Sequence, residues 1–572
     1  MKPFGAALVC AFAFGQSRPP APKPKPEAPA QNLVQQWLKS MTLRERVAQL
    51  IVVQSYGDSP AARTKEYKRL RHAVAELKVG GIIVNNRVQQ GLVRNAEPHE
   101  MATFFNRMQR LAKIPLIMAG DFERGASMRV ASTTKYPHAM AFGAADNLKF
   151  TFDAGAATAR ESRALGVHWV FAPDADVNNN PDNPIINIRS YGEDPKLVAA
   201  HVRAFIEGAH SDPKHRVLVT AKHFPGHGDT AVDSHIGLPR IEASRERMQA
   251  VELVPFRAAI EAGVDAVMTA HMAVPSFEKE EIPATVSKSI MTGLLREELH
   301  FRGIIVTDAM NMQGLSKMFP PGEAAVRAIE AGVDVLLIPP NPDAAIEAIV
   351  KAVAQGRIKR ARIDESVVKI LGAKAGLRIA QSRFVNVEAL SDKLDVDTDQ
   401  ERAQQVADRA VALIKNDGGM LPLKKPAEAC YLVMVETRNS PQGYQFVEQL
   451  KSRAPNVNVQ RLDPSMKAPE VDEAAQSVSA CAAIVIAAFV SAREYRGNVA
   501  LPGGFEAMTN QIVATGKPVT LIALGSPYLI RSFPKVAAYF TTYSTAPTSE
   551  TSAVKALFGD FEMTGKQVVR FK

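Results

Sequence analysis

The chain has 572 residues, 46% of them hydrophobic and 22% charged, with 69 basic against 59 acidic side chains and a formal charge of +10. That length calls for two or more domains, and that composition for a packed soluble enzyme rather than a disordered or fibrous chain. The basic residues are spread along the sequence without an Arg-rich helix or an aromatic-interleaved stripe, which argues against nucleic-acid binding and leaves a mild preference for anionic surroundings.

In chain order, Lys2, the apolar core Phe4 to Phe14 and the small residues Ala13 and Gly15 before Gln16 have the form of an export signal over residues 1–15. The apolar run is too short to cross a bilayer, so the expectation is an exported, periplasmic protein with no integral membrane span. Cys10 raises lipid anchoring, against which stand the bulky Val9 and the short apolar stretch before it. SRPPAPKPKPEAPA, within a linker over 16–30, favours an extended tether, and folding is expected to begin near Gln31.

From there, apolar runs alternate with Ala- and Glu-rich helical segments. Eight runs read as strands: Val47 to Gln54, Val79 to Asn85, Pro115 to Asp121, Val167 to Asp176, Val217 to His223, Val264 to His271, Gly303 to Asp308 and Val333 to Pro339. The segments EAGVDAVMTAH, from Glu261, and EAGVDVLLIPP, from Glu330, also resemble each other. This pattern predicts an α/β fold: a (β/α)8 TIM-type barrel over residues 31–381, with a doubly wound open sheet as the rival.

A polar, turn-rich linker at 382–400 separates a smaller α/β sandwich domain over 401–572. It is expected to hold a helix from Arg402 to Lys415 and strands at Tyr431 to Val435, Ala482 to Val490, Val519 to Leu524 and Val536 to Phe540. Few polar groups converge in it, so it offers no chemistry of its own. Besides Cys10, the cysteines are Cys430 and Cys481; three cannot form a disulfide framework or a clustered zinc site, and a bridge between the last two stays open.

Chemistry collects at the ends of the barrel strands. KHFPGHGDTAVDSHIGLP, Lys222 to Pro239, crowds a lysine, three histidines and two aspartates into a Gly/Pro-punctuated loop. Other runs end at Asp121 in DFERGASMR, at Asp174 and Asp176, at His271, and at Asp308 in GIIVTDAMNM. An unpaired buried charge is costly, so strands ending in carboxylates point to ligand contact at one rim.

DFERG, DNPIINIRSYGEDP from Asp182, KHFPGHGDTAVDSHIGLP and GIIVTDAMNM occur in this order. Together they resemble family 3 of the glycoside hydrolases, and within it the β-N-acetylhexosaminidase branch typified by bacterial enzymes that trim peptidoglycan fragments. The resemblance covers about Leu38 to Leu377, and ADRAVALIKNDGGMLPL, from Ala407, resembles the start of the family's second domain.

The resemblance implies a retaining glycosidase in which Asp308 is the nucleophile, followed by Ala309 where many relatives carry a second acid. His235 matches the branch's acid/base and Asp233 the aspartate that holds its tautomer and favours its protonated form. Asp121 matches the aspartate that grips the sugar's outer hydroxyls, with Arg189, Lys222 and His223 as donors around the ring. Lys222 and His223 are as readily structural bridges, and His271 faces the pocket or satisfies a core hydrogen bond. His227 and Asp229 read as loop supports. Arg124 stands where relatives usually carry glycine; it is strained there if φ is positive, or it reaches toward an anionic ligand.

The expected substrate is a short oligosaccharide or muropeptide with terminal β-linked N-acetylglucosamine, turned over with no cofactor and no metal. The alternatives are a β-glucosidase or β-xylosidase of the same family, a metal-dependent barrel hydrolase and an inactive carbohydrate-binding protein. The metal reading would use His223, His227, His235, His271 and Asp308 as ligands but lacks an early His-x-His pair. Intact Asp308, Asp233 and His235 argue against an inactive scaffold.

Overall fold

The computed structural model describes residues 28–89 and 92–571; the expected signal, Cys10 and most of the tether lie outside the described residues. The first helix, Ala28–Lys39, begins before the expected start at Gln31 and takes in the last residues assigned to the linker.

Eight parallel strands follow: β1 (Ile51–Ser55), β2 (Gly81–Val84), β3 (Ile117–Gly120), β4 (Trp169–Val170), β5 (Leu218–Phe224), β6 (Ala266–Thr269), β7 (Ile304–Val306) and β8 (Leu336–Leu337). From β1 to β7 each pairs with the next in sequence, and β8 pairs with β1, with Ile51 beside Leu336. A parallel bridge between Val306 and Val335 joins β7 to the residue before β8, so the sheet closes on itself and the open-sheet alternative falls away. β2 and β5 are buried along their whole length, as strands covered on both faces must be.

Two strand boundaries depart from the sequence reading. Val47 and Ala48 belong to a helix, Leu43–Ala48, because Thr42 and Glu45 form a reciprocal cap that starts a helical turn before the apolar run. β4 spans only two residues, since Pro173 soon follows and lacks the amide a ladder needs.

The second unit is one six-stranded sheet: β9 (Ala412–Asn416), β10 (Cys430–Met434), β11 (Asn458–Leu462), β12 (Ile484–Val490), β13 (Val519–Gly525) and β14 (Ala538–Thr541). Its order is β9-β14-β13-β12-β10-β11, parallel except for β9. Separate apolar clusters cover its two faces, which makes it a sandwich. The helix expected to end at Lys415 spans Asp397–Ala410, and Ala412 to Asn416 form the edge strand β9. β11 escaped prediction because NVQRL at a sheet edge buries little and shows no apolar run. Cys430 and Cys481 form a disulfide that ties the start of β10 to the segment before β12.

Polar contacts dock this unit on the barrel. Asn178 donates to the Tyr528 hydroxyl at 2.9 Å, the His138 backbone N–H donates to the Ser544 hydroxyl at 3.1 Å, and Arg409 donates to the Ala145 carbonyl at 2.7 Å.

Candidate active site

Asp308 sits two residues beyond the end of β7, and its backbone is pinned on both sides. Its N–H donates to the Thr269 carbonyl at 3.2 Å, and the Met310 N–H donates to the Leu337 carbonyl at 2.9 Å. The carboxylate accepts the Ala309 N–H through Oδ1 at 2.7 Å, while Oδ2 takes no hydrogen bond among the described residues. Burial pushes this carboxyl up, but His223, His271 and His235 around it outweigh that effect and hold it below the ordinary 3.8. It is therefore ionised at neutral pH.

The loop after β5 carries His235. Asp233 Oδ1 accepts both the His235 backbone N–H and the imidazole Nδ1–H at 2.8 Å, which leaves Nε2 as the working nitrogen. Asp233 is buried and His235 is 13% exposed. Burial alone would make the imidazole less basic, yet the hydrogen bond to Asp233 and the charges of Glu494, Asp308 and Asp233 raise its pKa above 6.5.

Glu494 belongs to the second domain, as does Tyr495, and both meet this loop. Tyr495 donates its backbone N–H to Asp233 Oδ2 at 2.8 Å, its ring stands edge-on to the imidazole at 5.3 Å, and Glu494 Oε1 lies 3.9 Å from His235 Nε2. The expectation that the second domain brings no chemistry is therefore corrected. The sequence did hold a charged run, SAREYRG, right after an apolar strand, but nothing local says that this loop crosses to the barrel.

Behind the dyad the loop is tightly built. His227 Nε2 pairs with the Ser234 hydroxyl at 3.0 Å, and the His227 N–H donates to Asp176 at 2.7 Å. Asn183 holds the carbonyls of His227 and Gly228, both at 2.9 Å. A Cβ at residue 228 would lie 1.7 Å from the Val177 carbonyl oxygen, so only glycine allows this approach. His227 is thus a loop support, whereas Asp229 lies 3.9 Å from Arg247 in a partly exposed ion pair.

Beneath the rim lies an ion network. Lys222, its side chain 2% exposed, reaches Glu123 at 2.7 Å, Asp121 at 3.0 Å and Asp174 at 3.8 Å. Arg189 grips Glu123 through two nitrogens at 2.8 and 2.9 Å and approaches Asp174 at 3.2 Å. Asp121 also accepts from Arg129 at 3.1 Å. Burial favours the neutral form of Glu123, but Arg189 and Lys222 hold it well below the usual carboxylate range. Burial lifts Asp174 above that range, against the same two cations. Glu123 and Arg129 were not picked out from the sequence, although both lie in DFERGASMR, which was read for Asp121 and Arg124. His223 joins this network to the dyad side: its Nδ1 bonds Asp176 at 2.7 Å and its Nε2 lies 3.3 Å from Arg189.

Residues 42–373 match the glycosyl hydrolase family 3 N terminal domain, and residues 411–572 match the glycosyl hydrolase family 3 C-terminal domain. The chain belongs to glycosyl hydrolase family 3. It is 29% identical over 526 residues to a β-hexosaminidase A of Pseudoalteromonas piscicida, an alignment covering 83% of this chain and 85% of that one. It is 28% identical over 557 residues to a β-N-acetylglucosaminidase/β-glucosidase of Cellulomonas fimi, covering 93% and 94% of the two. The solved structure of a family 3 β-N-acetylglucosaminidase from a Paenibacillus species superimposes with a TM-score of 0.83 at 31% identity, covering 93% of this chain and 99% of that one. The protein is a glycosidase.

Within this family 3 framework the open readings of two residues narrow. His271 has both ring nitrogens engaged, Nε2–H donating to the Ala309 carbonyl at 3.1 Å and Nδ1 facing the Thr285 hydroxyl at 2.8 Å; it braces the chain next to Asp308 and presents no free donor to a sugar. Arg124 carries no strain, because the positive φ of +81° falls on Gly125. Its guanidinium has no ion pair among the described residues, and burial with repulsion from Arg129 brings its pKa down to about 10.

The metal reading also fails its fit. Among the described residues, the set that brings three potential ligand atoms within 4.8 Å is Asp174, Asp176 and His223, not the five proposed groups. In that set the His223 Nδ1 is bound to Asp176, and Arg189 and Lys222 already place two positive charges against Asp174.

Proposed function

We propose that this family 3 enzyme is an exported, retaining β-N-acetylglucosaminidase that removes terminal β-linked N-acetylglucosamine from short oligosaccharides or peptidoglycan fragments. The observation that carries the reading is the Asp233–His235 pair: an imidazole held at 2.8 Å through Nδ1, its Nε2 left outside that bond, and its proton affinity raised in part by the charge of a nearby Asp308. The names of the Pseudoalteromonas and Paenibacillus relatives support the aminosugar as substrate.

In the first step Asp308 Oδ2 attacks the anomeric carbon while His235 Nε2–H protonates the departing oxygen, so the glycosidic bond breaks as the ester bond forms. Forming the ester removes the negative charge of Asp308, one of the groups that raise the imidazole pKa. His235 then accepts a proton from water as the water oxygen displaces Asp308 from the sugar. Asp121, Arg189, Lys222 and His223 shape and charge the floor on which the sugar hydroxyls are recognised, where a hydrogen bond to a charged group is worth about 1.5–3 kcal/mol.

A second reading, β-glucosidase activity, rests on the Cellulomonas relative, whose name couples both activities. Hydrolysis rates on nitrophenyl N-acetyl-β-glucosaminide, β-glucoside and β-xyloside separate the two: a kcat/KM highest on the aminosugar is expected, and a preference for glucoside or xyloside overturns the assignment. The Cys430–Cys481 disulfide supports the exported location, since such bridges persist in oxidising compartments.

A further inference from the structure

The opposite end of the barrel, where helices lead into strands, holds a polar cavity of about 220 Å³. It lies between the end of the helix Pro98–Leu111, the loop entering β4, and residues 382–386 of the segment leading to the second domain. It is several times larger than the roughly 30 Å³ that a water occupies in the liquid. Among the described residues its wall carries three cations, Arg163, Arg383 and Lys393, and no carboxylate.

The two arginines are unlike most others in this protein. Arg163 gives Nη2 to the Leu377 carbonyl and the Ser382 hydroxyl at 3.4 and 3.3 Å, and its Nη1 is buried with no hydrogen-bond partner. Arg383 gives Nη2 to the carbonyls of Gln109 and Ala112, and its Nε is likewise buried and unpartnered. Burial depresses the pKa of both with no anion nearby to offset it. A third donor completes the wall. His168 Nδ1 accepts the Met118 N–H at 3.1 Å, so the neutral ring carries its proton on Nε2. Burial, with the charges of Arg163 and Lys374, keeps that ring neutral.

A pocket with unpartnered cationic donors and no lining carboxylate is complementary to an anion, and guanidinium groups match the oxygens of phosphate. We infer that this cavity binds a small phosphate-type oxyanion, either inorganic phosphate or the phosphate group of a small ester, held by Arg163, Arg383 and His168. Because Arg383 and Lys393 belong to the segment that connects the two domains, occupancy fastens that segment to the base of the barrel.

Titration of the full-length protein with inorganic phosphate by calorimetry, and thermal unfolding in phosphate against chloride at matched ionic strength, test the site. Saturable binding and a higher Tm in phosphate are expected. Arg163→Gln and Arg383→Gln should each weaken binding at least tenfold with hydrolytic kcat/KM unchanged, while Asp308→Asn should bind as tightly as the wild type. A hexose phosphate binding more tightly than inorganic phosphate identifies an ester as the ligand; the reverse identifies the free ion. A wild-type protein that shows no saturable binding, or binding that survives in both arginine variants, overturns the site and leaves a water-filled cavity.

Discussion

The backbone N–H of Tyr495, in the second domain, donates to Oδ2 of Asp233, in the barrel, at 2.8 Å. That bond helps fix the carboxylate whose other oxygen orients His235, so the sandwich domain contributes to the geometry of the proposed acid/base. A backbone donor suits this task because it survives changes in the side chain that carries it.

The neighbouring Glu494 should tune the pH profile. His235 must be protonated to donate to the leaving group, and its raised pKa keeps activity through the ordinary imidazole value of 6.5 and loses it as pH climbs past the higher folded value. The acidic limb is set by Asp308, whose lowered pKa keeps it ionised down to below 3.8. In Glu494→Gln the alkaline limb of kcat/KM should move to lower pH while the acidic limb stays in place. An unmoved alkaline limb removes Glu494 from this role.

His235→Ala should reduce turnover by about 10² to 10⁴ on substrates with poor leaving groups and far less on nitrophenyl glycosides, because general acid assistance is worth that much only where the departing oxygen needs a proton. Asp308→Ala should abolish hydrolysis of both. Equal losses across leaving groups for the histidine variant would transfer the acid role elsewhere.

Glu123 is the counterion shared by Lys222 and Arg189. Glu123→Ala removes the nearest counterion of two buried cations, leaving Lys222 with Asp121 and Arg189 with Asp174, and should lower stability by up to about 3–5 kcal/mol, the range for breaking a buried ion pair from one side. Urea unfolding followed by fluorescence measures it; a change under about 1 kcal/mol would mean that water or Asp174 takes over the pairing.

The disulfide closes a separation of 51 residues. Replacing Cys430 and Cys481 by alanine should destabilise the sandwich by about 2–4 kcal/mol. Scanning calorimetry with and without reductant reads the loss, and the wild type in reductant should approach the double variant. A Tm unaffected by reductant would show that the bridge contributes nothing to the native state in solution.

The barrel was legible because buried parallel strands advertise themselves: GIIVTD and VLVTAKHF are apolar runs ending in charge, and both signals are local. Asp308, Asp233 and His235 came from motifs of contiguous residues for the same reason. β9 and β11 were missed where strand formation depends on a neighbouring strand rather than on the segment's own hydrophobicity. His271 stayed ambiguous because its rank as ligand or brace depends on where Ala309 and Thr285 fall, 38 and 14 residues away.

What this sequence determined alone is the period and punctuation of its elements and the motifs that carry the proposed reacting pair, since apolar spacing and short motifs act over a few residues. Closure of the sheet through Val306 and Val335, the Lys222–Glu123–Arg189 network and the reach of Glu494 and Tyr495 to His235 were decided only in three dimensions. Those contacts join residues up to 262 positions apart, and the Coulomb and hydrogen-bond energies that select them exist only once packing has brought the partners within a few ångströms.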